Sequence, residues 1–229
     1  MCEMRIILIA GLWLTCDVWN ETATELARLG HDVVALRLPG VDHGDTSATL
    51  DDQVDAVVAA VDDAAGAVVV VGHSAACTLA WIAADRRPQR VAHVVLIGGF
   101  PSSNGEAYAD FFEHVDCAMR FPGWEPFDGP DSADLDDETK TMTAARAVPV
   151  PSAVARGVVR LDDEQRRRVP VTVVCPEFTT DQAQGWIADG GVAELAQAAD
   201  LRMVNIDSGH WPMFTQPVEL ARLLHEATT

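Results

Sequence analysis

Two short stretches of this chain hold residues whose types and spacing can do chemistry. The first is VVVVGHSAA, residues 68–76. Four valines lead into Gly72-His73-Ser74 and then into an alanine-rich stretch. Gly72 lets the chain turn tightly, Ser74 stands at the apex, and Ala75 and Ala76 are small enough for a helix to pack back on the strand. A serine in a strained strand-to-helix turn presents its hydroxyl outward, where the first N–H groups of the helix face a developing oxyanion. The pattern is G-x-S-x-G with Ala76 in the last place. The bland alternative is a small-residue turn with an incidental serine. The strand–turn–helix setting favours a nucleophile.

The second stretch is SGHWP, residues 208–212, between the last strand-like run and the last helix-like one. A serine nucleophile needs a base, and a loop histidine late in the chain can reach it. His210 fits by chain order and by placement. His31, His93, His114 and His225 read as ordinary surface-loop residues, and His73 as pointing away beside the turn. Asp207 is close in sequence to His210, but at a strand end a structural contact is expected of it.

Six runs are short, β-branched and continuous rather than alternating: 5–10, 33–38, 68–72, 94–97, 171–175 and 201–206. Such runs suit parallel strands covered on both faces. Between the second and third, Leu50, Val54, Val57, Val58 and Val61 fall at helical spacing over 50–64, with Thr49 as N-cap. Residues 75–84 are rich in helix formers, and 218–227 form an amphipathic helix with Pro217 in its first turn. The alternation predicts an α/β fold with right-handed crossovers. Residues 100–169 break the rhythm. They carry Pro101, Pro122, Pro126, Pro130, Pro149 and Pro151 and an acidic run at 128–138. This segment is expected to be a helical and loop insertion. It divides one structural domain into core 1–99, lid 100–169 and core 170–229.

The 229 residues include 16 basic and 35 acidic ones, a net charge of −19. That surface repels phosphate backbones, so neither a nucleic acid nor a membrane is expected as partner. The acidic run reads as a solvated lid loop, and Lys140, the single lysine, as a solvent-exposed cation. The apolar runs 6–14 and 64–72 fall far short of the roughly 20 residues that cross a bilayer. The first reads as a buried strand rather than a leader. Five widely spaced cysteines point to reduced thiols in a cytoplasmic protein, and no metal-ligand spacing is present.

With these residues in place, the chain resembles the α/β-hydrolase superfamily over essentially its full length. It is most similar to the small compact members, the methylesterase and hydroxynitrile-lyase group and bacterial serine esterases. Ala10-Gly11-Leu12-Trp13 stands where that family has H-G-x-x, and Leu38-Pro39-Gly40 with Gly44-Asp45-Thr46-Ser47 resembles its P-G-x-G-x-S loop. The resemblance implies about six parallel strands with helices on both faces and a lid. It implies Ser74 as nucleophile, His210 as general base, and the N–H groups of Leu12 and Ala75 as oxyanion hole. Ala10 replaces the family's histidine, which is tolerable because the donor is a backbone group. Thr179 stands where the resemblance puts the acid that orients the imidazole, which leaves Glu177 and Asp181, in PEFTTD at 176–181, as alternatives of equal rank, with Glu106 behind them and a Ser–His dyad without an acid as a further reading. Trp13, Phe100 and Trp211 are expected to line an apolar substrate pocket. The implied activity is a serine hydrolase, esterase-like, that cleaves a small-molecule substrate through an acyl-enzyme without cofactor or metal, as a monomer or homodimer. Two other readings stand beside it. One is a lyase that uses Ser74 and His210 as a proton relay, and the other a non-catalytic ligand-binding member of the fold.

Overall fold

The structure, a computed structural model, describes residues 4–41 and 45–228. Cys2 and Gly44 lie outside them. The core strands are β1 (Arg5–Ile9), β2 (Asp32–Ala35), β3 (Val68–His73) and β4 (Val91–Ile97), and, after the insertion, β8 (Val171–Cys175) and β9 (Leu201–Asn205). They form one parallel sheet in the order β2-β1-β3-β4-β8-β9. β3 is buried at all six positions, as a strand covered on both faces must be.

Helix α1 (Asn20–Arg28) packs with α8 (Pro217–Glu226) on one face, and α2 (Leu50–Asp62) with α3 (Ala76–Arg86) on the other. Alternate residues of β1 divide between two cores. Ile6 and Leu8 join Leu26, Leu220 and Leu224, whereas Ile7 and Ile9 join Val57, Val61 and Leu79. Thr49 caps α2 through a capping box with Asp52. The chain runs from β1 outward to β2 and then returns to the other side of β1 for β3. Strand order therefore reverses between β1 and β3, and the crevice outside their carboxyl ends is where such sheets bind ligands. The loop carrying Leu12 and the turn carrying Ser74 are the two lips of that crevice.

The insertion between β4 and β8 is less helical than its sequence suggests. It holds a small antiparallel sheet of β5 (His114–Val115), β6 (Ala118–Met119) and β7 (Val150–Pro151). The helices are α4 (Asp137–Arg146), which has no buried residue, and the four-residue α5 (Ser152–Ala155). Two-residue strands carry no readable periodicity, and the prolines limit helix length. After β8 come α6 (Thr180–Ala188), and after β9 the short α7 (Pro212–Thr215). Among the described residues no helix is long and apolar enough to cross a membrane.

A buried charge network fastens the end of the insertion to the core. Arg166, in a 3-10 turn just before β8, bonds Asp85 of α3 at 3.3 Å and Glu194 at 2.9 Å. These side chains are only 2%, 1% and 9% exposed. Asp85 also accepts the N–H groups of Asp162 and Asp163, and Glu194 accepts Trp81 Nε1–H.

Candidate active site

Ser74 has a left-handed backbone, φ +56°, at the junction of β3 and α3. Its N–H donates to Ile97 O at 2.8 Å, which ties the turn to β4. Gly72 is required: a Cβ there would lie 2.3 Å from Ala76 O, so any larger residue would push the helix off the strand. Gly11 and Gly99 let two more backbones approach, since a Cβ on them would lie 3.0 Å from Ser74 Cβ and 2.7 Å from Ser74 O. Ser74 is partly exposed where its neighbours His73 and Ala75 are buried. No partner bonds the N–H of Leu12 or of Ala75 among the described residues. A backbone donor kept for a transient anion has that property.

His210 lies in the loop between β9 and α7. Its Nδ1 is 2.7 Å from Glu177 Oε1, with the two side chains 12% and 14% exposed. An ionised Glu177 accepts from Nδ1–H, which leaves Nε2 with a free lone pair. Gly98, φ +59°, makes room for the ring, as a Cβ there would lie 3.1 Å from His210 Nδ1. The charge of Glu177 adds to burial in pushing the Cys175 thiol up to about 12.

The other two acid candidates are elsewhere. Thr179 caps α6 in a capping box with Gln182, which puts Asp181 in the first turn of an exposed helix end. Glu106 accepts the Ser103 N–H at 2.9 Å in its own loop. Asp207 is exposed. The T-x-x-Q spacing at 179–182 is the sequence signal that separates Asp181 from Glu177.

None of His31, His73, His93, His114 and His225 is a bare surface group. His73 is buried under the turn and bonds His210 O through Nε2 at 2.8 Å. His31 is buried and shares a 2.8 Å contact with His225, and His93 bonds Thr172. His114 bridges Ser152 Oγ and Asp110 at 2.7 Å each, and so joins β5 to α5. Each has found a polar partner because an imidazole taken out of water needs one. Lys140 lies 5.9 Å over the Trp124 ring rather than free in solvent.

Burial, then the neighbouring His210, pulls the His73 pKa down to about 3 from its ordinary 6.5. Folded protein thus keeps His73 neutral where the unfolded chain protonates it. Stability present above pH 6.5 is lost as pH falls toward the folded value, by up to about 1.4 kcal/mol per pH unit. The variant His73→Gln, which keeps a donor to His210 O, should flatten that acid slope in urea denaturation. Parallel slopes in the two proteins would contradict the assignment.

The three aromatic candidates have different surroundings. Trp211 packs edge-on against His210 at 4.8 Å and against Trp124 and Phe127. Phe100 stacks on Phe178, next to Glu177, at 5.5 Å. Trp13 donates from Nε1 to Met119 O and packs against Phe112, Phe121 and Phe127, which anchors the insertion over the crevice. It also borders a cleft of about 860 Å³ with Leu14, Met142, Arg146, Met213 and Phe214. Neither Ser74 nor His210 lines that cleft. The convergence of titratable groups, not cavity size, locates the candidate site.

The sequence profile of the alpha/beta hydrolase family matches residues 6–223. The chain belongs to the alpha/beta hydrolase family. Among curated proteins this hydrolase-family chain is 25% identical to Methylesterase 7 of Arabidopsis thaliana, over 98% of the chain and 96% of that protein. Among solved structures it is similar to an extracellular alpha/beta-hydrolase from a Paenibacillus species, with TM-score 0.81, 19% identity, and 98% and 99% of the two chains covered. A methylesterase from Arabidopsis superposes with TM-score 0.76 and 15% identity, over 98% of each chain. These likenesses agree with the six-stranded parallel sheet and flanking helices described above.

Proposed function

We propose that this alpha/beta hydrolase cleaves an ester of a small apolar acid or alcohol through an acyl-enzyme on Ser74. The observation that carries the reading is the 2.7 Å contact of Glu177 with His210, whose carbonyl bonds His73, the residue before the left-handed Ser74. In the proposed cycle, Ser74 Oγ attacks the ester carbonyl carbon while His210 Nε2 takes its proton. The Leu12 and Ala75 N–H groups receive the oxyanion. As the carbon–oxygen bond to the alcohol breaks, His210 returns the proton to the leaving oxygen. Water then adds to the acyl carbon by the same relay and frees Ser74. Glu177 fixes the tautomer and stabilises the imidazolium. The likeness to Methylesterase 7 supports an ester as substrate. The apolar rings of Trp211 and Phe100 near His210 and Glu177 support an apolar group on it.

The test is a chain-length series of esters with the released acid titrated. The expected result is hydrolysis that favours short apolar acyl groups, with Ser74→Ala at the uncatalysed background. Folded protein that cleaves no ester in the series overturns the reading in favour of a proton-relay lyase or a ligand-binding member.

A further inference from the structure

The loop that carries His210 is held from above by the insertion. Asp134 Oδ2 accepts the Gly209 N–H at 2.8 Å, the Thr215 hydroxyl at 2.7 Å and the Ser208 hydroxyl at 3.2 Å. The His210 N–H donates to Asp131 O at 2.7 Å. Gly209 sits hard against the same stretch, because a Cβ on it would lie 2.3 Å from Asp131 O and 2.3 Å from Asp134 Oδ1. Four donors of residues 208–215 therefore converge on residues 131–134, across sequence separations of 74 to 81 in the Asp134 bonds. The stretch is itself anchored. Ser132 and Leu135 are buried, and Leu135 joins the core cluster that contains Trp211 and Met213. This part of the acidic run is consequently no free solvated loop.

We propose that Asp134, with the Asp131 carbonyl, is a positioning element for the general base, so that the insertion arms His210 when seated and disarms it when displaced. This rests on the acyl-transfer reading of Ser74 and His210. The core holds His210 through Glu177 and through His73, which bonds the His210 carbonyl. The insertion holds the amide of the same residue. A general base works only within about 2.6–3.2 Å of the proton it takes, and a 1 Å displacement costs on the order of 100-fold in rate. Asp134 touches no reacting atom, so its effect belongs in the chemical step and not in substrate affinity.

The experiment compares wild type with Asp134→Ala, Asp134→Asn and Gly209→Ala. The two readouts are backbone amide exchange at residues 208–211 and the rate of Ser74 labelling by a fluorophosphonate, with kcat and KM on the best ester. Asp134→Ala should speed exchange at the His210 amide and slow labelling and kcat by about 10- to 100-fold, with KM within about threefold. Asp134→Asn keeps a carbonyl acceptor and should recover most of the rate. Gly209→Ala wedges the two segments apart and should be at least as slow as Asp134→Ala. Should Gly209→Ala fail to fold, the two variants at exposed Asp134 still decide the point. A merely structural contact would lower the melting temperature and leave the labelling rate of folded Asp134→Ala unchanged, and that result overturns the proposal. Unchanged amide exchange overturns it as well. Wild type that takes no label refutes the acyl-transfer reading instead, while amide exchange still decides whether Asp134 holds the loop.

Discussion

Replacing Glu177 by Gln should lower kcat by about 10³- to 10⁴-fold, whereas Asp181→Asn should leave it within about twofold. The two carboxylates are four residues apart in sequence and entirely different in setting. Glu177 follows β8 directly and reaches His210 Nδ1 at 2.7 Å. Its other oxygen, Oε2, is buried with no partner among the described residues, so the carboxylate is committed to the imidazole. An amide in its place presents either a neutral acceptor or an N–H to Nδ1. The second arrangement selects the tautomer whose Nε2 carries a proton and cannot act as base. Asp181 sits in the first turn of α6, where its charge favours the helix end and nothing more. Steady-state kinetics on the two variants, with folding checked by circular dichroism, separates them. Equal losses in both would place the acid elsewhere.

The second large effect is on stability. Replacing Arg166 by Met should cost about 3–5 kcal/mol, because Asp85 and Glu194 would stay buried without their cation. Total stability of such a domain is about 5–15 kcal/mol, so the variant should be marginal at room temperature. The Arg166 guanidinium bonds Glu194 through Nε and Nη2 and also donates to Asp163 O, so one substitution unties three segments. Urea denaturation gives the value. Simultaneous apolar replacement of Arg166, Asp85 and Glu194 should recover only part of the loss, since no charge is then left unpaired but the N–H groups of Asp162, Asp163 and the Trp81 ring lose their acceptors. A loss under about 1 kcal/mol in Arg166→Met would mean that water reaches the two carboxylates.

The core was legible because parallel strands buried on both faces must be continuous and β-branched. All six predicted runs overlap a strand of the sheet, and Thr49 caps α2 as its spacing suggests. Helices α1 and α6 are not among the expected elements, because they bury so little. Each has nine residues, and only Thr22 and Leu26 of α1, and only Ala183 of α6, are buried. The insertion is less helical than its sequence suggests for a related reason. Its order comes from aromatic packing, as among Trp13, Phe121 and Phe127, and from contacts to distant loops rather than from local periodicity.

The same distinction governs the site. Ser74 and His210 stand out in the sequence because an elbow and a loop after the last strand are local patterns. Glu177 and Asp181 are equal there, since which of them meets His210 depends on where α6 begins. The contacts of Asp131 and Asp134 were invisible, because they join backbone and side-chain groups more than seventy residues apart in sequence. The acidic run shows only its composition, which says nothing about which of its carboxylates is bonded.

The central claim is that Ser74 is the activated nucleophile. Intact-mass measurement after fluorophosphonate treatment of wild type and Ser74→Ala tests it most directly. The predicted result is a single adduct on wild type and none on Ser74→Ala. Folded wild type without an adduct would contradict the claim. So would an adduct that persists in Ser74→Ala, for instance on Ser152, whose hydroxyl lies 2.7 Å from His114.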